Sequence, residues 1–286
     1  MQKIILFYKF VPIKDPESIL FWQRALCEKL ELKGRVLISP HGINATLGGD
    51  LKNLKYYTRE MKAHSLFSGI TWKWSDGGVE HFPKLRVKVK DEIVAFGAPD
   101  EIKVTDKGII NGGKHLKPEA LHKLVEEKGE DVIFYDGRNM YEAQIGRFNN
   151  TVIPKARTSR DFKEDIENGE ISQYKDKPIV TYCTGGIRCE ILSAMMLNRG
   201  YKEVYQLDGG IVKYGERYAD KGLWKGKLFV FDDRMQIGFS SESEDIADCE
   251  YCGAKTSRQV NSTNIRRKLI TECEACASKK EVTSLA

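Results

Sequence analysis

Residues 178–190 read PIVTYCTGGIRCE, and this order of residue types decides the fold in the middle of the chain. PIVTY is β-branched and apolar, the composition of a strand covered on both faces. Cys183 follows at its carboxyl end, Thr184-Gly185-Gly186-Ile187 forms a glycine turn, and Arg188 leads into the helix CEILSAMMLNRG. Strand, turn and helix in that order are the joint of a parallel α/β sheet, whose sites gather at the carboxyl ends of the strands. The two glycines let successive backbone N–H groups turn inward toward the sulfur. The helix N-terminus and the charge of Arg188 act in the same sense, so a nucleophilic Cys183 of depressed pKa is predicted. Four residues separate Cys183 from Arg188, one fewer than in a cysteine phosphatase loop. The smaller ring suits a cysteine carrying one extra sulfur, a persulfide, better than it suits a tetrahedral phosphate. Cys189 is either a buried structural residue or a thiol able to resolve an oxidised Cys183 as a disulfide.

On both sides of that loop, residues 99–227 keep the same rhythm. A helix from Pro118, the strand DVIFYDGR (131–138), the strand-like NNTVIP, a helix around RDFKEDIEN, the strand EVYQLDGG (203–210) and a last helix follow one another. Strands separated by helices predict a parallel sheet with helices on both faces. Residues 1–98 read differently. IILFYKF (4–10), a helix opened by Asp15-Pro16, RVLISP (35–40), NATLGG (44–49), the helix LKNLKYYTREMKAH, and the strands TWKWS (71–75) and LRVKVKDEIVAFG (85–97) run in the order β-α-β-β-α-β. That order predicts a ferredoxin-like α+β sandwich. His41 and Asn44 fall at the turn between two of its strands, where they are candidate substrate contacts. Phe7, Tyr8, Trp72 and Trp74 either stack a base or fill the sheet core. Residues 228–286 are short and polar, and SSESEDIAD (240–248) reads as a flexible acidic linker.

Composition narrows the class. The chain has 286 residues, 41% hydrophobic and 30% charged, a folded rather than disordered balance. No apolar run approaches the roughly eighteen residues of a membrane span, and the first residues read as a strand rather than an export signal. Seven cysteines without disulfide-like spacing predict the reducing cytoplasm. The charge is uneven: residues 1–98 hold 16 Lys and Arg against 10 Asp and Glu, a net of +6. Lys84, Arg86, Lys88 and Lys90 alternate with Leu85, Val87 and Val89, so one face of that strand is cationic and the other apolar. Such a face contacts RNA phosphates or is a solvated edge.

Cys249-x2-Cys252 and Cys273-x2-Cys276, with twenty residues between the pairs, have the spacing of a structural zinc ribbon. The tail has too few apolar residues to fold alone, so the metal would supply its stability. Arg266, Arg267 and Lys268 between the pairs are a further candidate RNA contact or a solvated hairpin face. No iron, flavin or haem motif is present in the sequence.

The loop CTGGIR, the preceding YDGRNMYEAQIGRFNNTVIP and the later LDGGI resemble a rhodanese domain. Asp136, Arg138, Glu142, Pro154, Asp208, Gly209 and Gly210 fall on its recurring pattern. Together with YCTGGIRCE, FYKF, GRVLISPHGINATLGG and LRVKVKDEIVAFG, the whole chain resembles the bacterial rhodanese-containing tRNA uridine hydroxylases. The resemblance implies oxygen-dependent 5-hydroxylation of the wobble uridine of tRNA, with Cys183 at the persulfide-forming position. His41 stands where that pattern places a glutamate before Gly-Ile-Asn-Ala. The alternative activity is a sulfurtransferase that passes persulfide sulfur to a small acceptor or a protein.

Overall fold

A computed structural model describes residues 1–262 and 268–284; Arg266 and Arg267 therefore lie outside the described residues. The first unit contains β1 (Gln2–Phe10), α1 (Pro16–Lys29), β2 (Lys33–Ser39), β3 (Gly42–Asp50), α2 (Leu51–Ala63), β4 (Lys73–Asp76) and β5 (Leu85–Val89). Its sheet order is β4-β1-β3-β2-β5. The first four strands are antiparallel neighbours and have the ferredoxin-like order, and β5 adds a fifth strand parallel to β2. Asp15 caps α1 by accepting from the Ser18 N–H at 3.1 Å, with Pro16 preset in the first turn.

Alternation divides the residues of this sheet between two faces. Ile5, Phe7, Val36, Ile38, Ala45 and Leu47 pack under α1 and α2 with Leu26, Cys27, Leu54 and Tyr57. Phe7 lies in that core with the Trp72 ring 4.6 Å away, and Trp74 packs against the same cluster. Tyr8 has the opposite parity and faces the other side. There one cross-strand row runs Arg86–Arg35–Thr46–Leu6–Lys73, and the next runs Lys88–Leu37–Asn44–Tyr8.

Three local readings change. Asn44 lies within β3, opposite Tyr8 and Leu37, because the tight turn leaves only Pro40 and His41 between β2 and β3. The predicted 85–97 strand stops at Val89; beyond it Ile93 and Phe96 enter the core of the second unit. The 240–248 segment is anchored rather than a free linker. Ser243 Oγ donates to Asp220 and accepts from the Phe239 N–H, while Lys227 pairs with Asp245.

A small hairpin, β6 (Val104–Thr105) and β7 (Gly108–Ile109), precedes the second unit. That unit comprises β8 (Lys114–Leu116), α3 (Pro118–Lys128), β9 (Ile133–Asp136), α4 (Met140–Ile145), β10 (Gly146–Phe148) and β11 (Thr151–Val152), then α5 (Phe162–Asn168), β12 (Pro178–Tyr182), α6 (Ile187–Asn198), β13 (Glu203–Leu207), α7 (Gly210–Tyr218) and β14 (Trp224–Gly226). Strands β11-β9-β12-β13-β8 form a parallel sheet, and β10 pairs with β14 beside it. β12 is central and buried at all five positions, which is why its sequence shows no alternation. Two apolar clusters, one around Leu192 and Met195 and one around Phe134 and Tyr182, cover the sheet's two faces.

The tail contains β15 (Leu228–Phe229), β16 (Gln236–Ile237), β17 (Gln259–Asn261), β18 (Leu269–Thr271) and α8 (Glu274–Ser284). The chain between β15 and β16 returns to the first unit: Arg234 donates to the Asp76 carbonyl at 2.7 Å and His81 pairs with Asp233 at 2.5 Å. Among the described residues no helix is long and apolar enough to cross a membrane.

Candidate functional site

Cys183 sits at the carboxyl end of β12, fully buried in its loop. Gly186 adopts φ of 96°, a left-handed conformation that a side chain disfavours, and its N–H points at the Cys183 sulfur from 3.2 Å. Burial pushes the Cys183 thiol up, but opposing contributions outweigh it. The Cys189 thiol, the Arg188 charge and the N–H groups of Cys189 and Arg188 together hold it below the ordinary thiol range. Cys189 goes the other way, raised by burial and by the neighbouring Cys183. The two sulfurs are thus shifted in opposite directions, Cys183 toward the thiolate and Cys189 toward the neutral thiol.

Arg188 is engaged more fully than its position in the sequence suggests. Its two terminal nitrogens donate to both Glu142 oxygens, at 2.6 and 2.8 Å, and one also reaches Thr184 Oγ1 at 3.3 Å. A second buried pair, Arg138 with Asp136 at 2.6 Å, lies behind it, and Arg138 also donates to the Glu142 carbonyl at 3.3 Å. The rhodanese-like residues Asp136, Arg138 and Glu142 thus form the support that aims the loop arginine.

The open face of the first sheet closes over this loop. Leu6 lies against Gly185, where an added Cβ would come within 2.7 Å of its Cδ2. Tyr8 hydroxyl donates to Glu190 at 3.1 Å, and a Cβ on Gly186 would meet that hydroxyl at 3.0 Å. The two units thereby enclose a cleft of about 360 Å³, lined by Cys183, Thr184, Gly185, Ile187 and Arg188 on one side and by Leu6, Tyr8, Arg35, Asn44 and Lys73 on the other. Its volume falls at the lower end of the usual range, roughly 300–1,000 Å³, of small-molecule sites. Phe231, 54% exposed, closes one wall, with the Arg188 guanidinium 5.7 Å from its ring centroid. Beyond Tyr8 and Lys73 lies a second, polar cavity of about 460 Å³. There His115 is raised to about 10 by its contacts with Asp208 and then Glu190.

The sequence candidates are distributed unevenly. The 183–188 loop and Asn44 reach the cleft; the Asn44 side chain donates to the Ile93 carbonyl at 3.1 Å. His41 stays on the β2–β3 turn, outside the lining of the cleft, with Nδ1 buried and without a hydrogen-bond partner among the described residues. Arg86 and Lys88 lie exposed on β5 in the rows that lead to the cleft, whereas Lys84 and Lys90 flank the strand ends. Lys73, Arg35, Arg234 and Phe231 also line the cleft and were not legible as site residues. For Arg35 and Lys73 the sequence signal was a parity shared with Leu6 and Tyr8 on strands whose pairing only the fold sets; Arg234 and Phe231, outside any strand, gave none.

Cys249, Cys252, Cys273 and Cys276 place their sulfurs within 4.8 Å of one another, and Cys252 and Cys273 sulfurs are 3.6 Å apart. Four thiolates at about 2.3 Å from a tetrahedral ion would be about 3.8 Å apart, so this donor set can hold a metal ion. Backbone N–H groups, that of Cys273 first, hold the Cys249 thiol down to about 6.

Residues 2–93 match the UPF0176 acylphosphatase like domain, residues 117–217 the rhodanese-like domain and residues 225–284 the rhodanase C-terminal domain. The chain is 55% identical over 285 residues to a protein of Arthrobacter sp. named tRNA uridine(34) hydroxylase, covering 98% of this chain and 96% of that one. It is 56% identical over 283 residues to a protein of the same name from Corynebacterium urealyticum, covering 99% and 95%. Both matches span nearly the whole of this chain and of the relative, so the chain belongs to the tRNA uridine(34) hydroxylase family.

Proposed function

We propose that this chain hydroxylates carbon 5 of uridine 34 in tRNA, with molecular oxygen as co-substrate and Cys183 as the reacting side chain. The observation that carries the reading is the cleft itself: a thiolate-favouring loop faces, across a space of small-molecule size, a sheet whose outer rows are cationic. Carbon 5 of uracil is a weak nucleophile, and addition of a sulfur at carbon 6 makes it an enolate carbon. A Cys183 thiolate, or its more nucleophilic persulfide, supplies that sulfur. Asn44 and the loop N–H groups orient the base, and Leu6 and Phe231 limit access of water. The substrate-binding set is then Asn44 inside the cleft, Arg86 and Lys88 on the approach, and Lys84, Lys90 and His41 at its periphery.

The tail holds structural zinc through Cys249, Cys252, Cys273 and Cys276; four protein ligands leave no open position for catalysis. The chain then divides into residues 1–98 that contact tRNA, 99–227 that carry the reactive sulfur and 228–286 that bind metal. A cytoplasmic location follows from a tRNA substrate and reduced thiols.

Nucleoside analysis of tRNA from cells with and without the gene tests the activity. Loss of 5-hydroxyuridine, restored by the wild-type chain and not by Cys183→Ser, is the expected result. A sulfurtransferase would leave the nucleoside pattern unchanged and transfer thiosulfate sulfur at full rate. The first unit speaks against that alternative, because it builds half of the cleft wall.

A further inference from the structure

Among the described residues, four cationic side chains line the Cys183 cleft: Arg35, Lys73, Arg188 and Arg234. Two are saturated by carboxylates. Arg188 holds both oxygens of Glu142, and Arg234 holds both oxygens of Asp232, at 2.7 and 2.6 Å. Arg35 is exposed on the outer sheet face beside Arg86. Lys73 alone of the four combines burial with the lack of a directly paired carboxylate. It is 4% exposed, and among the described residues its ammonium makes neither hydrogen bond nor ion pair; it lies 4.9 Å from the centroid of the Tyr8 ring.

An ammonium withdrawn from water without hydrogen-bond partners is strongly disfavoured relative to the neutral amine. Burial accordingly lowers the Lys73 pKa, and the nearby charges of Cys183 and Asp208 act against that lowering. The position is set by the fold. Lys73 is the cross-strand partner of Leu6, and its Cδ lies 3.9 Å from the point where a Gly185 side chain would begin. The lysine stem thus runs beside the cysteine loop, and Lys73 lines both the Cys183 cleft and the polar cavity next to it.

We propose that Lys73 is a catalytic residue whose ammonium binds the uracil O4 atom as negative charge develops there. The proposal rests on the carbon-6 addition described above. In that step the Cys183 sulfur forms a bond to carbon 6, and the electron pair of the C5–C6 double bond moves through carbon 4 onto O4. No atom leaves and no electron is gained or lost. The product is an enolate, with its charge next to the Lys73 ammonium. Reversal restores the thiolate and uracil; protonation of carbon 5 by solvent, loss of the original carbon-5 proton to regenerate the enolate, and then expulsion of the sulfur exchange the carbon-5 hydrogen with solvent. A donor that meets charge only in the transition state contributes roughly 100- to 1,000-fold in rate.

The exchange provides the test. A synthetic anticodon stem-loop RNA with uridine at position 34 is incubated with the full-length protein in oxygen-free heavy water, and deuterium at carbon 5 is measured by mass spectrometry. Wild type is expected to exchange, Cys183→Ser to be silent, and Lys73→Met to exchange roughly 100-fold more slowly or less, with Lys73→Arg recovering part of the rate. Lys73→Met removes a buried charge that has no hydrogen-bond or ion-pair partner among the described residues, so its unfolding midpoint is expected to hold or rise, and its affinity for the RNA to stay close to wild type. Equal exchange by wild type and Lys73→Met would overturn the role of Lys73 while leaving the addition step intact. An absence of exchange in a wild-type protein that still hydroxylates in air would overturn the addition step, and the role of Lys73 with it. Should Lys73→Met fail to fold, Lys73→Gln removes the charge with a polar side chain one atom shorter than lysine, and the same comparison decides.

Discussion

Arg188 and Glu142 are joined by two parallel hydrogen bonds of 2.6 and 2.8 Å, with the Glu142 side chain fully buried. The loop arginine is thus part of a buried ion pair whose other half comes from α4. Two effects compete. Arg188 lowers the Cys183 thiol through its charge, and Glu142 offsets part of that charge. Arg188→Ala should strand a buried carboxylate and lose about 3–5 kcal/mol of stability. Glu142→Gln should free the arginine charge and lower the Cys183 pKa further, while Arg188→Ala raises it. Denaturant unfolding and the pH dependence of iodoacetamide labelling measure both. A Glu142→Gln protein whose labelling profile is unchanged would show that the pair is structural only.

Labelling of wild-type Cys183 should reach half of its maximal rate below the ordinary thiol value of about 8.5. Cys189→Ala should shift the profile upward. Its thiol donates to the Cys183 thiolate, and removing a donor to the charged form raises the pKa. The sign follows from the thiolate: as pH falls through the depressed pKa, the sulfur protonates and labelling stops. An unchanged profile in Cys189→Ala would reduce Cys189 to a packing residue.

Protein purified without added metal should contain one zinc per chain. Cys252→Ser is expected to lower the content well below one equivalent and to destabilise the tail. Structural zinc of this type contributes on the order of 10–16 kcal/mol in peptides. Elemental analysis with thiol titration checks the stoichiometry; four freely titrating thiols and no zinc would remove the site.

Arg86→Glu and Lys88→Glu should weaken tRNA binding at every sequence context and reduce the salt slope by roughly one for each phosphate no longer engaged. Both residues share cross-strand rows with cleft residues, Arg86 through Arg35 and Lys88 through Leu37 and Asn44. Lys84→Glu, beyond the strand end, should have the smaller effect. Filter binding at several salt concentrations separates these outcomes, and equal slopes throughout would leave β5 as plain surface.

Elements whose chemistry is local were legible in the chain. The Cys183 loop, the buried run of β12, the paired cysteines and the β-α-β-β-α-β order each depend on residues close together in sequence, so composition and spacing exposed them. The alternation of Lys84, Arg86, Lys88 and Lys90 was equally legible, though not that β5 would pair with β2 and align Arg86 with Arg35. The assembled site came only with folding. Lys73 and Cys183 are brought together by the docking of one sheet face onto the loop of another, and no local pattern encodes that approach. Asn44 joined the cleft and His41 did not, because a short turn placed the first on β3 and left the second outside it. The electrostatics follow the same division. A glycine turn at a helix start favours thiolate through its own backbone, whereas the charge that Arg188 presents depends on Glu142, forty-six residues away in the chain and adjacent only after folding.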